Sequence, residues 1–240
     1  MKPKKKQVNT VAQRKAERAA QEKRMKRIMW ITGACIVVLV LLLVFIRPQS
    51  KEASFDYSSL PVLGNPEAPI KIVEMGDYKC PACQYFSQDI EPSLQKDFID
   101  SGKAALYFMN YLIISPNADS NTAALAAQSV FHQNKDEFWK YYHVLFDNQQ
   151  DEKTEWATPE FLVKLARDNN IKVDYDQLSK DIEEKTYQDE VDSHMATGNK
   201  LRVNSTPTLY VNGEKVAENV TLDYNALKSY LDKKSADTDK

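Results

Sequence analysis

Cysteine and histidine are both scarce, with three of each in 240 residues. A small scaffold stapled by disulfides needs several cysteine pairs, so that class is excluded. Cys35, Cys80 and Cys83 include one Cys-x-x-Cys and no second, and His132, His143 and His194 form no H-x₃₋₅-H pair. A four-ligand structural zinc site is therefore not expected. No acidic cluster has the spacing of a calcium loop, so no metal ligands are assigned. There is no internal repeat.

Charge of one sign is missing from each part of the chain in turn. Residues 1–46 carry eleven Lys or Arg against two Asp or Glu; the whole chain has 32 and 34, which leaves 21 and 32 for residues 47–240. This split indicates two environments. The acidic remainder would repel phosphates, so nucleic acid is not an expected partner.

Charge is also absent from residues 28–46, IMWITGACIVVLVLLLVFI. Nineteen apolar residues are about what a helix needs to cross a bilayer. Lys23, Arg24, Lys26 and Arg27 precede the run, and the positive-inside rule places the N-terminus in the cytoplasm and residues 47–240 outside. A cleaved signal peptide is the rival reading. It calls for small residues before a cut, and the sequence after Ile46, RPQSKEAS, offers no such site. Cys35 lies eleven residues before the end of the run, whereas a lipid-attachment cysteine should follow it. Cys35 reads as a small apolar membrane residue.

The exported part then has two cysteines, in Cys80-Pro81-Ala82-Cys83. A bridge across so short a loop restrains the unfolded chain weakly, so a structural role is a poor explanation. Ile70-Lys71-Ile72-Val73 reads as a buried strand, broken at Gly76-Asp77. Pro81 suits the first turn of a helix running through Phe86, Ile90 and Leu94, with a kink at Pro92. The unpaired N–H groups at a helix start favour thiolate over thiol, which lowers Cys80 below the free value of about 8.5. Cys83, one turn on, should be more buried and act as the resolving thiol. A stabilised Cys80 thiolate stabilises the reduced form and makes the disulfide a stronger oxidant.

Downstream, 105–113 reads as a second strand and 119–200 as helical. Thr158-Pro159 marks one helix start, and Asp174 another with Gln177 placed for a capping box. The aromatics Phe138, Trp139, Tyr141, Tyr142 and Phe146 have helical spacing; lining of a peptide groove is the alternative, and core is the favoured reading. Strand character returns at 207–211, followed by an Asn212-Gly213 turn and a closing helix capped by Thr221. The last six residues, 235–240, should fray.

The stretches VEMGDYKCPACQYF (73–86), FWKYYHVLFDNQ (138–149) and VNSTPTLYVNGEKV (203–216) together resemble the DsbA-like thiol–disulfide oxidoreductases of the thioredoxin superfamily. Among these the match is to the membrane-anchored BdbD type of Gram-positive bacteria. The resemblance implies an α/β thioredoxin-like fold with an inserted helical domain, preceded by one N-terminal transmembrane helix. The expected divisions are a basic cytoplasmic segment 1–27, an anchor 28–46, a tether and lead-in strand 47–64, core parts 65–118 and 201–234 around an insert 119–200, and a tail 235–240.

The resemblance also supplies roles. Cys80 is the nucleophile and leaving thiolate, and Cys83 resolves. Pro81 and Ala82 tune the motif, and Ala82 departs from the histidine common in DsbA relatives, which leaves oxidising strength open. Thr206-Pro207 matches the family's cis-proline loop, which pairs with a bound peptide. Glu74 matches an acid that assists proton transfer near the second cysteine; its alternative is an exposed strand-end residue. Lys79 either points at the sulfur or reaches out to solvent, and Asp77 reads as a turn residue. No tightly bound cofactor is implied beyond the Cys80–Cys83 disulfide. The implied partners are reduced or unfolded exported proteins and a DsbB-like membrane quinone oxidase, with the enzyme itself a monomer. Two alternatives stand beside this: an exported reductase or isomerase, and a non-redox peptide-binding holdase.

Overall fold

Apolar residues at every second position build the centre of the molecule. In the strand Ile70–Gly76, Ile70 and Ile72 face one way and Val73 and Met75 the other, and all four are fully buried. In Ala104–Asn110, Ala104, Leu106 and Phe108 share the first face, and Ala105, Tyr107 and Met109 the second. A strand buried on both faces belongs in the middle of a covered sheet.

The computed structural model describes residues 6–45 and 52–238. The chain divides into two units, Met1–Lys51 and Glu52–Lys240. The first contains one helix, α1 (Lys6–Phe45). The anchor expected at 28–46 falls on its second half. Ile46 and the side chains of 40–45 lie outside the described residues. Among the described residues no helix is long and apolar enough to cross a membrane.

The second unit carries strands β1 (Val62–Leu63), β2 (Ile70–Gly76), β3 (Ala104–Asn110), β4 (Thr208–Val211) and β5 (Glu214–Lys215). Their order in the sheet is β1-β3-β2-β4-β5. The β2–β3 pair is parallel, and the other pairs are antiparallel. The crossover from β2 to β3 is the helical segment α2 (81–99). The helices α3 (Asp119–Gln133), α4 (Phe138–Asp147), α5 (Pro159–Asp168), α6 (Tyr175–Glu183) and α7 (Gln188–Lys200) stand between β3 and β4. After β5 come α8 (Glu218–Thr221) and α9 (Tyr224–Thr238). The helices of the insertion share one continuous core with the sheet: Leu106, Phe108 and Leu209 pack in the same cluster as Phe131, Phe138, Tyr142 and Leu162.

Several boundaries differ from expectation for identifiable reasons. Segment α2 alternates α turns with π turns at Phe86–Ile90 and Gln95–Ile99. The first π turn sits just before Pro92, where a missing N–H would break an α ladder; Glu91 donates to Phe86 O five residues back instead. Strand β3 stops at Asn110, three residues early, because the N–H groups of Ile113 and Ile114 both donate to Asp77 Oδ2 (2.9 Å each). Asp174 caps α6, but Gln177 reaches forward to Asp181 Oδ1 (2.7 Å), so the box is not reciprocal. Thr221 ends α8 and back-bonds to Ala217 O, while Asp223 accepts from Ala226 N–H at the start of α9. That helix continues to Thr238, so most of the tail expected to fray is helical. The Asn212-Gly213 turn has both residues at positive φ (48° and 85°), as its sequence demands.

Gly198 of α7 packs against Tyr111, the residue after β3. A Cβ there would overlap the ring of Tyr111. The ring has little room to turn away, because its hydroxyl lies 2.8 Å from Val203 O and 2.9 Å from Asn199 Oδ1. Gly198→Ala is expected to destabilise the fold by about 1–3 kcal/mol, the usual cost of overpacking, despite alanine's better helix propensity. Urea unfolding of the two proteins measures this; equal midpoints would contradict the packing argument.

Candidate active site

The site begins where β2 ends. The loop Asp77-Tyr78-Lys79 turns the chain into α2 with Cys80 as the N-cap residue, at φ −78° and ψ 120°, and Pro81 in the first turn. Pro81 costs nothing here, since an N–H at that position has no intrahelical partner. Cys80 is 6% exposed and Cys83 is fully buried. Neither is bridged.

Asp77 is more than a turn residue. It is fully buried and accepts from the N–H groups of Lys79, Ile113 and Ile114 and from the Ser120 hydroxyl. It thus ties the loop before the cysteines to the end of β3 and the start of α3. Lys79 takes neither of its expected positions. It is 2% exposed, and its ammonium donates to Asp119 Oδ1 (2.6 Å) and Thr154 O (2.8 Å). Asp119 in turn accepts from the N–H groups of Trp156 and Ala157. A buried lysine needs such a partner, and the insertion supplies it.

On the far side of Cys80 lies the loop before β4. The Thr206–Pro207 peptide bond is cis. The Cys80 thiol donates to Thr206 O at 3.3 Å. A cleft of about 350 Å³ beside Pro207 is lined by Asn204, Ser205, Thr208, Val216 and Ala217 among others.

The two sulfurs differ sharply. Cys80 is held down to about 6, chiefly by hydrogen bonding from the Cys83 thiol. Burial opposes this, and the Thr206 side chain and the N–H groups of Cys83 and Ala82 add to it. Cys83 is pushed far up, first by burial and then by its role as donor to Cys80.

Glu74 is fully buried, so its alternative as an exposed strand-end residue is excluded. Its register neighbours are Phe108 and Leu209. Oε2 accepts from the Tyr142 hydroxyl (2.8 Å), and Oε1 has no hydrogen-bond partner among the described residues. Desolvation raises Glu74 to about 8, with Glu91 and Cys80 contributing repulsion against the Tyr142 hydrogen bond.

Helix α4 supplies residues that sequence reasoning passed over. The Gln149 amide, just beyond it, donates to Tyr78 O (2.7 Å) and Cys80 O (3.1 Å), holding the motif's backbone on both sides of Lys79. Tyr142 caps Glu74, and His143 pairs with Glu91. Tyr142 and Phe146 share one helical face in the stretch that carried the resemblance, whereas Gln149 lies past the helix end, where spacing gave no signal. The cluster Phe138, Trp139, Tyr141, Tyr142 and Phe146 is core, none of it more than 7% exposed. His132 pairs with Glu190 on the surface, and His194 is buried beside Asn110. Among the described residues no group of three or more His, Cys, Asp or Glu is placed to hold a metal ion.

A family described as Thioredoxin matches residues 58–233. Probable disulfide bond formation protein D of Bacillus cereus is 36% identical over 179 residues, covering 75% of this chain and 80% of that protein. Disulfide bond formation protein D of Bacillus subtilis is 38% identical over 173 residues, covering 72% and 76%. The crystal structure of oxidised BdbD from Bacillus subtilis superposes with a TM-score of 0.72 at 34% identity, covering 77% of this chain and 97% of that one. DsbA of Chlamydia trachomatis, 24% identical, shares the fold with a TM-score of 0.65 over 75% and 93%.

Two outcomes follow from the geometry. In the reduced protein, the rate of alkylation by iodoacetamide should rise with pH to a midpoint near 6, with the label on Cys80 alone by mass spectrometry. A midpoint near the free-thiol value of about 8.5 would refute the stabilised thiolate. For Glu74, the folded state holds its proton up to about 8 while the unfolded chain releases it near 4.5. The folded state binds more protons across that window, so this residue makes stability fall as pH rises through it. Glu74→Gln should remove the slope, and its stability advantage in urea titrations should grow from the lower to the upper pH limit.

Proposed function

Because the chain belongs to the thioredoxin family and, within it, to the disulfide bond formation protein D group of thiol–disulfide oxidoreductases, we propose that it oxidises cysteine pairs of exported proteins through the Cys80–Cys83 disulfide. The observation that carries this is the contrast between a Cys80 held down to about 6 and a Cys83 pushed far up one helical turn away.

A substrate thiolate attacks Cys80 Sγ, the Cys80–Cys83 bond breaks, and a mixed disulfide forms with Cys83 as the leaving group. The substrate's second thiolate then attacks its own sulfur in the mixed disulfide, and Cys80 leaves as a thiolate. Two electrons pass from the substrate pair to the enzyme pair. The stabilised Cys80 thiolate favours this direction. Glu74, protonated at neutral pH and buried, serves as the proton donor to Cys83. Extended substrate lies along the loop at Thr206 and Pro207, where backbone pairing tolerates many sequences. With Ala82 in the motif there is no imidazole beside the sulfur, so the helix start and the Cys83 and Thr206 contacts carry the stabilisation.

Residues 28–46 anchor the enzyme, with the basic N-terminus inside and the catalytic part outside. The support is the uncharged run and the charge asymmetry on its two sides. Anchoring holds the enzyme in the same membrane as a DsbB-like quinone oxidase that restores the disulfide, which raises their effective concentration.

Equilibration of the full-length chain with glutathione buffers tests the direction of electron flow. A potential near about −120 mV is expected for an oxidase; one near about −270 mV, as in thioredoxin, would turn the reading into a reductase.

A further inference from the structure

Gln84 and Gln149 flank the motif and have no part in the mechanism above. Gln84 follows Cys83 in α2, and Gln149 is the second residue beyond α4. Both are half-buried. The side-chain amide of Gln149 donates to Tyr78 O (2.7 Å) and to Cys80 O (3.1 Å). The amide of Gln84 runs the other way, to Phe146 O in the last turn of α4 (2.8 Å).

The backbone N–H groups of the two residues complete the pattern. Gln84 N–H donates to Cys80 O (3.1 Å), the carbonyl that the Gln149 side chain also takes. Gln149 N–H donates to Phe146 O (3.3 Å), the carbonyl that the Gln84 side chain takes. Each glutamine thus closes one helix end with its backbone and the other with its side chain. The start of α2 and the end of α4 are joined through two shared carbonyls. Asn148 prepares this by ending α4, where its side chain donates to Val144 O (2.8 Å). Tyr78 O has no other donor among the described residues, so Gln149 alone satisfies it.

We propose that Gln84 and Gln149 form a clasp that positions the Cys80 sulfur at the helix start. The N–H groups of Ala82 and Cys83 can serve that sulfur only while the first turn of α2 is closed, and helix ends fray when nothing holds them. The clasp holds the carbonyl on which this turn closes: Cys80 O accepts from Cys83 N–H (3.0 Å) and Gln84 N–H as well as from Gln149. Neither glutamine side chain carries a charge or bonds to a sulfur, so both are positioning residues. The ionisable groups that interact with the Cys80 sulfur are Cys83 and Glu74, and the substitutions below leave both intact. The inference rests on the reading of Cys80 as the reactive thiolate.

The test is the pH profile of iodoacetamide alkylation of the reduced full-length chain, read beside its urea midpoint. Methionine is close to glutamine in size but donates no hydrogen bond. Gln149→Met is expected to raise the Cys80 midpoint from about 6 by about half to one unit, the worth of one neutral hydrogen bond. The glutathione equilibrium at neutral pH should move about fivefold toward the disulfide, since thiolate energy counts only in the reduced form. Gln84→Met, at the other end of the clasp, should do the same. The double substitution should go little further, because opening either end releases the shared carbonyls. Gln150→Met, at an exposed neighbour, should leave the midpoint where it was. A lowered urea midpoint with Cys80 unmoved in either single variant would make that glutamine structural only and overturn the clasp. Fully additive shifts, or an equal shift in Gln150→Met, would overturn it as well. The unsubstituted protein separates the two readings. A midpoint near about 8.5 there removes the thiolate itself. One near about 6 that the variants leave unmoved removes only the clasp.

Discussion

The activity depends on an energy difference between two sulfurs three residues apart. Cys80 and Cys83 share one helical turn, yet one meets the open N–H groups at the helix start while the other lies in a dry interior. A thiolate on Cys80 is stabilised chiefly by the Cys83 thiol, and the Thr206 side chain and the N–H groups at the helix start add to this. A thiolate on Cys83 is penalised by burial and by the bond Cys83 gives to Cys80, with only a weaker backbone contact from Asp77 in its favour. The pair therefore has a built-in leaving group and a built-in acceptor of protons. The rest of the second unit serves to keep the helix starting at Cys80: Asp77 pins the loop, the Lys79–Asp119 pair locks it to the insertion, and Gln149 fixes the carbonyls of Tyr78 and Cys80.

That asymmetry has a cost deeper in the core. Glu74 sits between Phe108 and Leu209 in the centre of the sheet, with Glu91 also buried beneath α4. Two buried acids, each with one unsatisfied oxygen, are poor choices for stability alone. They stay tolerable as long as a proton is held on Glu74, which is the form suited to receive a thiolate's demand. Perturbation of this kind by desolvation and a neighbouring like charge is typical of sites that move protons.

The parts of this site legible in the sequence are those that short-range rules govern. Proline after Cys80 announces a helix start, a short apolar run announces β2, and Asn212-Gly213 announces its hairpin. Glu74's burial stayed open in the sequence, because a strand buried on both faces carries no parity signal. The roles of Lys79 and Asp77 were not legible, because their partners Asp119, Ser120 and Ile113 are 36 or more residues away and no spacing rule connects them. The β3 boundary failed for the same reason: Asp77 captures N–H groups that the strand pattern assigned to the ladder. Gln177 and Thr221 show the limit of capping signatures, where a nearby competing acceptor took the bond. The cis bond at Thr206 came from the resemblance alone.

The insertion is where these long-range dependencies converge. Tyr142, His143 and Gln149 come from α4 or its end, and Asp119 from α3. Between them they touch Glu74, Glu91, the backbone of the motif and the lysine before Cys80. The helices between β3 and β4 share the sheet's core and so hold these groups with the rigidity of packed side chains. A thioredoxin-type sheet and a Cys-x-x-Cys helix start provide a thiolate. Here the second sulfur is pushed up by its burial, by Cys80 and by Glu74, and Glu74 is held in turn by Tyr142 of the insertion. Changes on the inner face of α4 should therefore act on Cys83 through Glu74, whereas changes in the Pro207 loop act on Cys80 through Thr206. The two sulfurs can in this way be tuned by different segments of the chain.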